Sequence, residues 1–338
     1  HVVRREGADL LFVTALPGFP MRMGPVMKRR YHLPLVIDYQ DLWLPRGYEA
    51  VPPLTKLWLA HQIAASSEPR VLPWADHITA VSEGTHEVIQ SRYAFLTADR
   101  CSAVPIGIDA DDYAVLRQGD RPCPWLQRGV GVLNLCYVGT LLPRAHRTVA
   151  ALFAALVALR RESPSLYQRL RLTFVGTSNQ PLTTAGEEVM PIARVAGIAD
   201  IVREVPGRVP YLEALTILLR ADVILMLGSD EAHYTASKLY PALLAERPLL
   251  GIFHEGSSVC EVMREVGSGK LVTFNDAEPV DTKIAEITTM LTTLLLQPDA
   301  VGPVAQARVA PYLGPAIAKR FADIFNRVVE QRCGYPTI

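Results

Sequence analysis

The sequence lacks several features that mark particular functional classes. Its 34 Lys and Arg residues are balanced by 34 Asp and Glu residues, so the formal net charge is +0, which does not indicate a generally basic, nucleic-acid-binding surface. No apolar run approaches the roughly 20 residues that cross a bilayer. The first ten residues, HVVRREGADL, also lack the apolar region of a signal peptide. We therefore expect a cytoplasmic protein.

Cysteine is also scarce. The five cysteines show neither a CxxC pair nor the Cys/His spacing of a zinc site, and they are expected to be reduced thiols in a cytoplasm-facing protein. The acidic cluster at residues 109–112 is better suited to a turn or a helix cap than to a metal. No bound metal or cofactor is expected.

The 338 residues alternate between short apolar runs and helical patterns. This alternation predicts parallel sheets with right-handed crossovers, in two Rossmann-like domains. Four strands are predicted first (10–14, 35–38, 77–81, 103–106), then six (133–138, 170–175, 201–205, 221–227, 249–253, 271–274). Helices are predicted at 21–30, 54–65, 83–93, 147–161, 187–195, 211–220, 258–266 and 316–329. Because the first domain has fewer strands, we infer that its opening strands are missing from this sequence.

Residues 221–253 are the most informative segment. A buried strand leads into a polar loop, and Ser237 precedes apolar residues at helical spacing, which predicts Ser237 as the N-cap and Lys238 in the first helical turn. Main-chain N–H groups and an ammonium group would then meet at a phosphate. An ordinary capped helix with a solvated lysine is the alternative.

The order of several motifs resembles the retaining glycosyltransferases of family 4. Residues 38–43, DYQDLW, are similar to the DxRDxW segment of many members, and PIGID at 105–109 is similar to PNGID. The segments YVGT (137–140) and FVGT (174–177) match the two strands of the donor domain that end in glycine. The stretch from Ala236 to Pro248 is similar to PSKLFEYLAAGRPV.

This resemblance implies the GT-B fold, in which two Rossmann-like domains face each other. The expected domains are an incomplete acceptor-side domain, 1–125, completed by a C-terminal helix, 316–338, and a donor-binding domain, 126–315. The resemblance also implies a metal-independent reaction in which cations stabilise the leaving diphosphate. It assigns Asp41, Arg144 and Lys238 to catalysis and assigns Gly139, Thr140, Arg147, Gly176, Ser237, Leu239 and Tyr240 to donor binding.

Pro241 departs from the family pattern, which commonly has a glutamate there for the ribose hydroxyls. Proline cannot accept those bonds, although a first helical turn tolerates it. Asp230 and Glu231 are candidate replacements, and each is otherwise a solvated loop residue. His233 and His254 flank the same edge of the sheet, and Ser257 or Ser258 is expected to cap the following helix.

The acceptor side offers fewer signals. Asp41 is the best candidate carboxylate, with a purely structural role in its loop as the alternative. Residues 21–31, MRMGPVMKRRY, are expected to form an amphipathic helix with a solvated basic face, or one that lies on an anionic membrane surface.

Three functions remain open. The first is a nucleotide-sugar-dependent glycosyltransferase that acts on a glycan or lipid-linked acceptor in cell-surface polysaccharide synthesis. The second is another GT-B enzyme, such as a sugar-nucleotide epimerase. The third is a non-catalytic nucleotide-sugar-binding module, which Pro241 would suit.

Overall fold

The computed structural model describes residues 2–15, 18–45, 47–119, 121–127, 129–231, 237–297 and 306–333. The chain divides into two compact units. Unit 1 contains the residues up to Ile106 and those from Pro315 onward, and unit 2 contains Gly107–Gly314.

Unit 1 is built on a parallel sheet of four strands in the order β1-β2-β3-β4. The strands are β1 (Leu11–Thr14), β2 (Leu35–Tyr39), β3 (His77–Ala80) and β4 (Cys101–Ala103). The helices are α1 (Val2–Glu6), α2 (Met23–Tyr31), α3 (Lys56–Val71) and α4 (Glu83–Arg92). Because successive strands are neighbours, right-handed crossovers place α2, α3 and α4 on one face of this sheet.

Unit 2 is built on a parallel sheet of six strands in the order β10-β9-β8-β5-β6-β7. The strands are β5 (Leu133–Val138), β6 (Leu170–Val175), β7 (Val202–Val205), β8 (Val223–Leu227), β9 (Leu249–His254) and β10 (Lys270–Phe274). The helices are α5 (Ala110–Arg117), α6 (His146–Glu162), α7 (Pro164–Arg169), α8 (Met190–Ala196), α9 (Tyr211–Arg220), α10 (Leu239–Leu244), α11 (Ser258–Val266), α12 (Ile284–Leu296) and α13 (Gln306–Val309).

The central strands of unit 2 are buried on both faces, which explains their continuous apolar runs. In β8, Leu225 joins the core on one side of the sheet, and Ile224 and Met226 join the core on the other. The mixed α/β fold with parallel sheets that the sequence predicts is confirmed.

The last helix, α14 (Gly314–Cys333), packs within unit 1. Its residues Ile324 and Val328 are buried with Val36 and Val104. Leu35 and Ile37, which alternate with Val36 along β2, belong to the core on the opposite face. Helix α14 therefore covers the face of the sheet that α2 to α4 leave open.

Several helices differ from those predicted. Helix α12 was not predicted, although Ile287 and Leu291 are fully buried in unit 2. Helix α3 begins at Lys56, after an N-cap at Thr55, and continues through Pro69 rather than ending at residue 65. The acidic cluster at 109–112 has the predicted capping role, because Asp109 accepts the N–H of Asp111 at the start of α5.

Candidate functional site

The carboxyl end of β5 carries a glycine whose conformation other residues rarely adopt. Gly139 has φ +130°, a region that L side chains avoid. A Cβ added there would lie 3.1 Å from Cδ of Lys238. The missing side chain thus gives the lysine room to lie against the main chain.

Lys238 is a half-buried cation held by neutral groups. Its ammonium group donates to the hydroxyl oxygen of Tyr137 and, at 3.1 Å, to the carbonyl of Thr140. Nζ also lies 4.3 Å from the centroid of the Tyr137 ring, a cation–π distance. Burial lowers the pKa of Lys238 to about 7, because the charged form loses hydration. Among the described residues no carboxylate pairs with this lysine, so a ligand that brings negative charge would stabilise its protonated form.

The end of β6 lies beside the end of β5. The N–H of Gly139 donates to the carbonyl of Val175 at 2.8 Å, and a Cβ added to Gly176, at φ +72°, would lie 3.9 Å from Cα of Gly139. The hydroxyl of Thr140 donates to the side-chain oxygen of Asn179 at 3.0 Å. Gly139, Thr140, Gly176 and Lys238, all predicted site residues, are therefore gathered at one edge of the sheet.

Glu204 of β7 fixes the loop that follows β6, a role that the sequence did not reveal. Its carboxylate accepts the hydroxyl of Thr177 at 2.5 Å and the N–H groups of Glu188, Val189 and Met190 at 2.9 to 3.0 Å. One acidic side chain thus satisfies the donors at the start of α8 and connects them to Thr177. Only the pairing of β6 with β7 brings these groups together, so no local sequence signal marks them.

The two predicted phosphate-binding arginines are both paired with carboxylates. Arg144 donates from Nε to Asp230 at 2.6 Å and from Nη1 to Glu231 at 3.1 Å. Arg147 donates to Asp281 at 2.7 Å. Asp230 and Glu231 are the two acids considered for the ribose. In this structure they bind the arginine instead.

The prediction that Ser237 caps α10 is wrong. The helix begins at Leu239, Lys238 occupies the N-cap position, and no side chain caps it. Ser237 lies exposed in the preceding turn. Ser237 takes part in this turn through its main chain, because its carbonyl accepts the N–H of Tyr240 at 3.4 Å.

The other predicted residues of this segment have mainly structural side chains. Leu239 and Tyr240 are buried in the core of unit 2, so only their main chain is suited to a ligand. Pro241 lies in the first turn of α10, as predicted, and its carbonyl accepts the hydroxyl of Tyr113 at 2.6 Å. Nothing at position 241 can accept a hydrogen bond from a ribose through its side chain.

Two further predictions concern the neighbouring strand, β9. His254 is buried at its end, and Nδ1 accepts the N–H of Gly256 at 3.2 Å. Of the two serines considered as caps, Ser257 occupies the N-cap of α11 and accepts the N–H of Val259. His233 lies outside the described residues.

In unit 1, Asp41 follows β2 and is exposed. Neighbouring protein displaces part of its solvent and raises the pKa of its carboxyl. Asp38, three residues earlier, is buried and accepts hydrogen bonds from Thr79, at 2.6 Å, and from Gln40. Asp38 therefore fixes the strand end, and Asp41 is the acid of this segment that remains accessible.

A buried acid in α3 supports the same loop, and the sequence did not reveal it. Glu68 is fully buried and accepts the hydroxyls of Tyr39 at 2.9 Å and Tyr93 at 2.7 Å. Arg92 lies 4.0 Å from the same carboxylate and donates to the carbonyl of Leu44. The network connects the interior of unit 1 to the main chain that follows Asp41.

The described residues contain no cluster of His, Cys, Asp or Glu suited to a metal ion. In the same part of the chain no helix combines the length and the apolar character needed to span a membrane.

Comparisons with known proteins agree with this architecture. The family model described as Glycosyltransferase Family 4 matches residues 1–112, which confirms the predicted resemblance. Alr3699/HepE of Anabaena, solved in complex with UDP, is similar in structure with a TM-score of 0.64 and 15% identity, over 96% of this chain and 80% of that one.

Two other solved structures give similar values. An α,α-trehalose-phosphate synthase (UDP-forming) from Burkholderia vietnamiensis has a TM-score of 0.65 and 13% identity, over 97% of this chain and 74% of that one. The lipopolysaccharide outer core galactosyltransferase WaaB has a TM-score of 0.55 and 14% identity, over 96% and 77%. A comparison with curated proteins finds no match. The fold is that of GT-B glycosyltransferases.

Proposed function

Starting from the match of residues 1–112 to glycosyltransferase family 4, we propose that this protein transfers a sugar from a nucleotide-diphosphate sugar to a glycan or lipid-linked acceptor. The proposed reaction retains the configuration of the sugar and needs no metal. Its proposed setting is the cytoplasmic synthesis of a cell-surface polysaccharide.

The observation that carries this proposal is the lowered pKa of Lys238 together with its surroundings. An ammonium group with a pKa of about 7 and no described carboxylate partner lies at the carboxyl ends of β5 and β6, where open α/β sheets bind ligands. A diphosphate placed there would favour the charged lysine. In the reaction, Lys238 would stabilise the negative charge that builds up on the leaving nucleotide diphosphate.

The other donor-side residues act around this lysine. Gly139 and Gly176, whose N–H groups bond within the sheet, let a ligand approach the main chain closely, and Thr140 follows them at the sheet edge. Ser237, Leu239 and Tyr240 contribute main-chain groups at the start of α10. Arg144 is the second cation for the diphosphate, with Arg147 beside it in the chain. Because Asp230 and Glu231 bind Arg144, the diphosphate has to compete with them for the guanidinium. We assign Asp41 to the acceptor side.

The test is transfer by the protein from a panel of UDP-, GDP-, ADP- and dTDP-sugars to extracted glycolipids, with the released nucleotide diphosphate and the product measured by mass spectrometry. Lys238→Ala should abolish release. Lys270→Ala, at the opposite end of the sheet of unit 2, is the matched control and should not. Binding of nucleotide diphosphate without turnover of any donor would contradict the transferase and favour the binding module that Pro241 suits. Turnover of the donor without an acceptor would indicate an epimerase.

We also propose that unit 1 contacts an anionic membrane surface at its cytoplasmic face, where a lipid-linked acceptor would be presented. Helices α2 and α3 share one face of the sheet and expose large apolar side chains, which are Met23, Val26, Leu57, Leu59 and Ile63. The exposed charged residues of these two helices are all basic, namely Arg29, Arg30, Lys56 and Arg70. Apolar side chains interspersed with cations are the combination that binds anionic lipid.

Co-sedimentation with vesicles tests this contact. Wild-type protein should bind vesicles that contain 30% phosphatidylglycerol and should not bind phosphatidylcholine alone. The double variant Leu59→Glu, Ile63→Glu should lose binding, whereas Val195→Glu, an exposed apolar residue of unit 2, should keep it. Equal sedimentation of the two variants would refute the assigned surface, and concentration-dependent dimers that Leu59→Glu abolishes would assign it to a second copy of the chain instead.

A further inference from the structure

A second concave site lies in unit 2, at the edge of the sheet opposite to Lys238. The cavity has a volume of about 290 Å³, and its lining includes Arg117, Arg121, Arg220 and Arg247. It lies where α9 and α10 end and the chain enters the amino ends of β8 and β9. Nothing in the proposed reaction uses it.

Main-chain carbonyls fix two of these arginines in place. Arg247 donates from Nε to the carbonyl of Leu219 at 2.7 Å. Arg117 donates from Nη2 to the carbonyl of Leu244 at 3.0 Å. Each of these bonds uses one of the five N–H groups of a guanidinium, so both side chains are held in place while they line the cavity.

Three exposed arginines contribute positive charge to the cavity, namely Arg117, Arg121 and Arg247. Among the described lining residues they are accompanied by a single carboxylate, that of Glu246, which lies 3.3 Å from Arg117. Glu246 itself has φ +54°, a left-handed conformation that is unfavourable in a residue with a side chain. The fold thus accepts a strained residue beside Arg117, and Arg121 and Arg247 add positive charge to the same concave surface.

We propose that this cavity is a binding site for a small phosphorylated anion. Guanidinium groups bind phosphate oxygens through paired, charge-assisted hydrogen bonds, and several of them around one cavity match a ligand with more than one negative charge. Inorganic pyrophosphate has this chemistry and fits the volume. The site is separate from the nucleotide site, because it lies at the far end of α10 from Lys238, and it does not rest on the proposed function.

The structure also suggests another role for these cations. Arginines at helix C-termini stabilise the last carbonyls and the helix dipole, and both main-chain bonds described above are of this kind. Arg121 separates the two explanations, because it is exposed and lies outside the helices. A dipole role does not need it, whereas an anion site does.

The experiment is a calorimetric titration of inorganic pyrophosphate into the full chain that carries Lys238→Ala, so that the nucleotide site is already weakened. We expect this variant to keep a pyrophosphate site whose affinity depends on Arg121. Adding Arg121→Glu should weaken it by about tenfold or more, as expected when an attractive charge is replaced by a repulsive one. Arg161→Glu, which makes the same charge change at the exposed end of α6, is the matched control and should leave the site intact.

Arg121→Ala supplies a second measurement and should weaken binding less than Arg121→Glu. Circular dichroism of each variant confirms that it folds. The proposal is overturned if Lys238→Ala protein binds no pyrophosphate, if Arg121→Glu binds it as Lys238→Ala alone does, or if Arg161→Glu loses it to the same extent. Because the titration does not involve donor or acceptor, its failure leaves the transferase proposal untouched.

Discussion

The lowered pKa of Lys238 predicts that donor binding weakens as the pH rises above neutrality. In the free protein, burial brings this pKa to about 7. A bound diphosphate places negative charge beside the ammonium and raises the pKa again. The complex therefore holds more protons than the free protein above pH 7. By linkage, affinity is constant below pH 7 and falls as the pH rises through the free-state pKa.

The size of the effect follows from the free-state pKa. If the pKa in the complex stays above 9, affinity should fall about fifty-fold between pH 7 and pH 9, which is about 2.3 kcal/mol. A nucleotide sugar is the suitable ligand, because its diphosphate is esterified at both ends and does not titrate in this range. Calorimetry should also show uptake of about 0.9 proton per complex at pH 8 and about 0.1 at pH 6.

A variant with a permanent charge provides the control. Lys238→Arg keeps a cation that stays protonated at every accessible pH, so whatever affinity it retains should not depend on pH between 7 and 9. Constant wild-type affinity over this interval would refute the reasoning. So would the same slope in Lys238→Arg, because another group would then be responsible.

Three further outcomes are expected. Gly139→Ala should destabilise the protein by about 1–2 kcal/mol, measured by urea unfolding, because position 139 has a positive φ. The same variant should bind nucleotide more weakly, because the new methyl group meets the Lys238 side chain. The affinities for UDP and for its 2′-deoxy analogue should differ by far less than the roughly 10⁴-fold expected of a site built around a ribose hydroxyl. Strong rejection of the analogue would show that another group has replaced the missing glutamate, and the affinities of Glu231→Ala would then be measured. Glu68→Ala should lower the stability of the protein by about 2–5 kcal/mol, seen as a reduced midpoint in urea, since the hydroxyls of the buried Tyr39 and the half-buried Tyr93 lose their acceptor. A loss below 1 kcal/mol would show that the network contributes little.

The sequence predicts the buried strands best. Strands β5 and β6 and helices α9 and α11 have the predicted bounds, because a buried parallel strand is a continuous apolar run and these helices have clear amphipathic spacing. Helix α12 was missed because its sequence contains four threonines among its apolar residues, which favour strands. In the helix these hydroxyls bond to the carbonyls four residues earlier, as Thr288 does with Ile284 at 2.8 Å.

Only part of the site can be predicted from the sequence, because the other part depends on which strands are neighbours in the sheet. Gly139 and Lys238 stand out because each belongs to a recognisable motif. The contact of Lys238 with Tyr137 joins residues 101 positions apart, and the pairing of Arg144 with Asp230 requires knowing that β5 and β8 are neighbours. Local patterns contain neither fact.

Lys238 and Arg144 differ in the groups that surround them, and this difference determines how much each cation contributes to the affinity for a nucleotide diphosphate. Arg144 is exposed and already bonds to two carboxylates, so its positive charge is stable in the free protein. A ligand must displace those carboxylates before it can bind the guanidinium. Lys238 is half-buried and has no described carboxylate partner, so its charged form is unfavourable until a ligand supplies the counterion. Affinity should therefore depend more on the lysine than on the arginine. Lys238→Ala should weaken nucleotide diphosphate binding by about 1.5–3 kcal/mol. Arg144→Ala should cost less than 1 kcal/mol, because in the wild type the ligand gains this exposed cation only by breaking its existing ion pairs. Equal losses in the two variants, measured by calorimetry at pH 6.5, would show that Arg144 leaves its acids completely when the ligand binds.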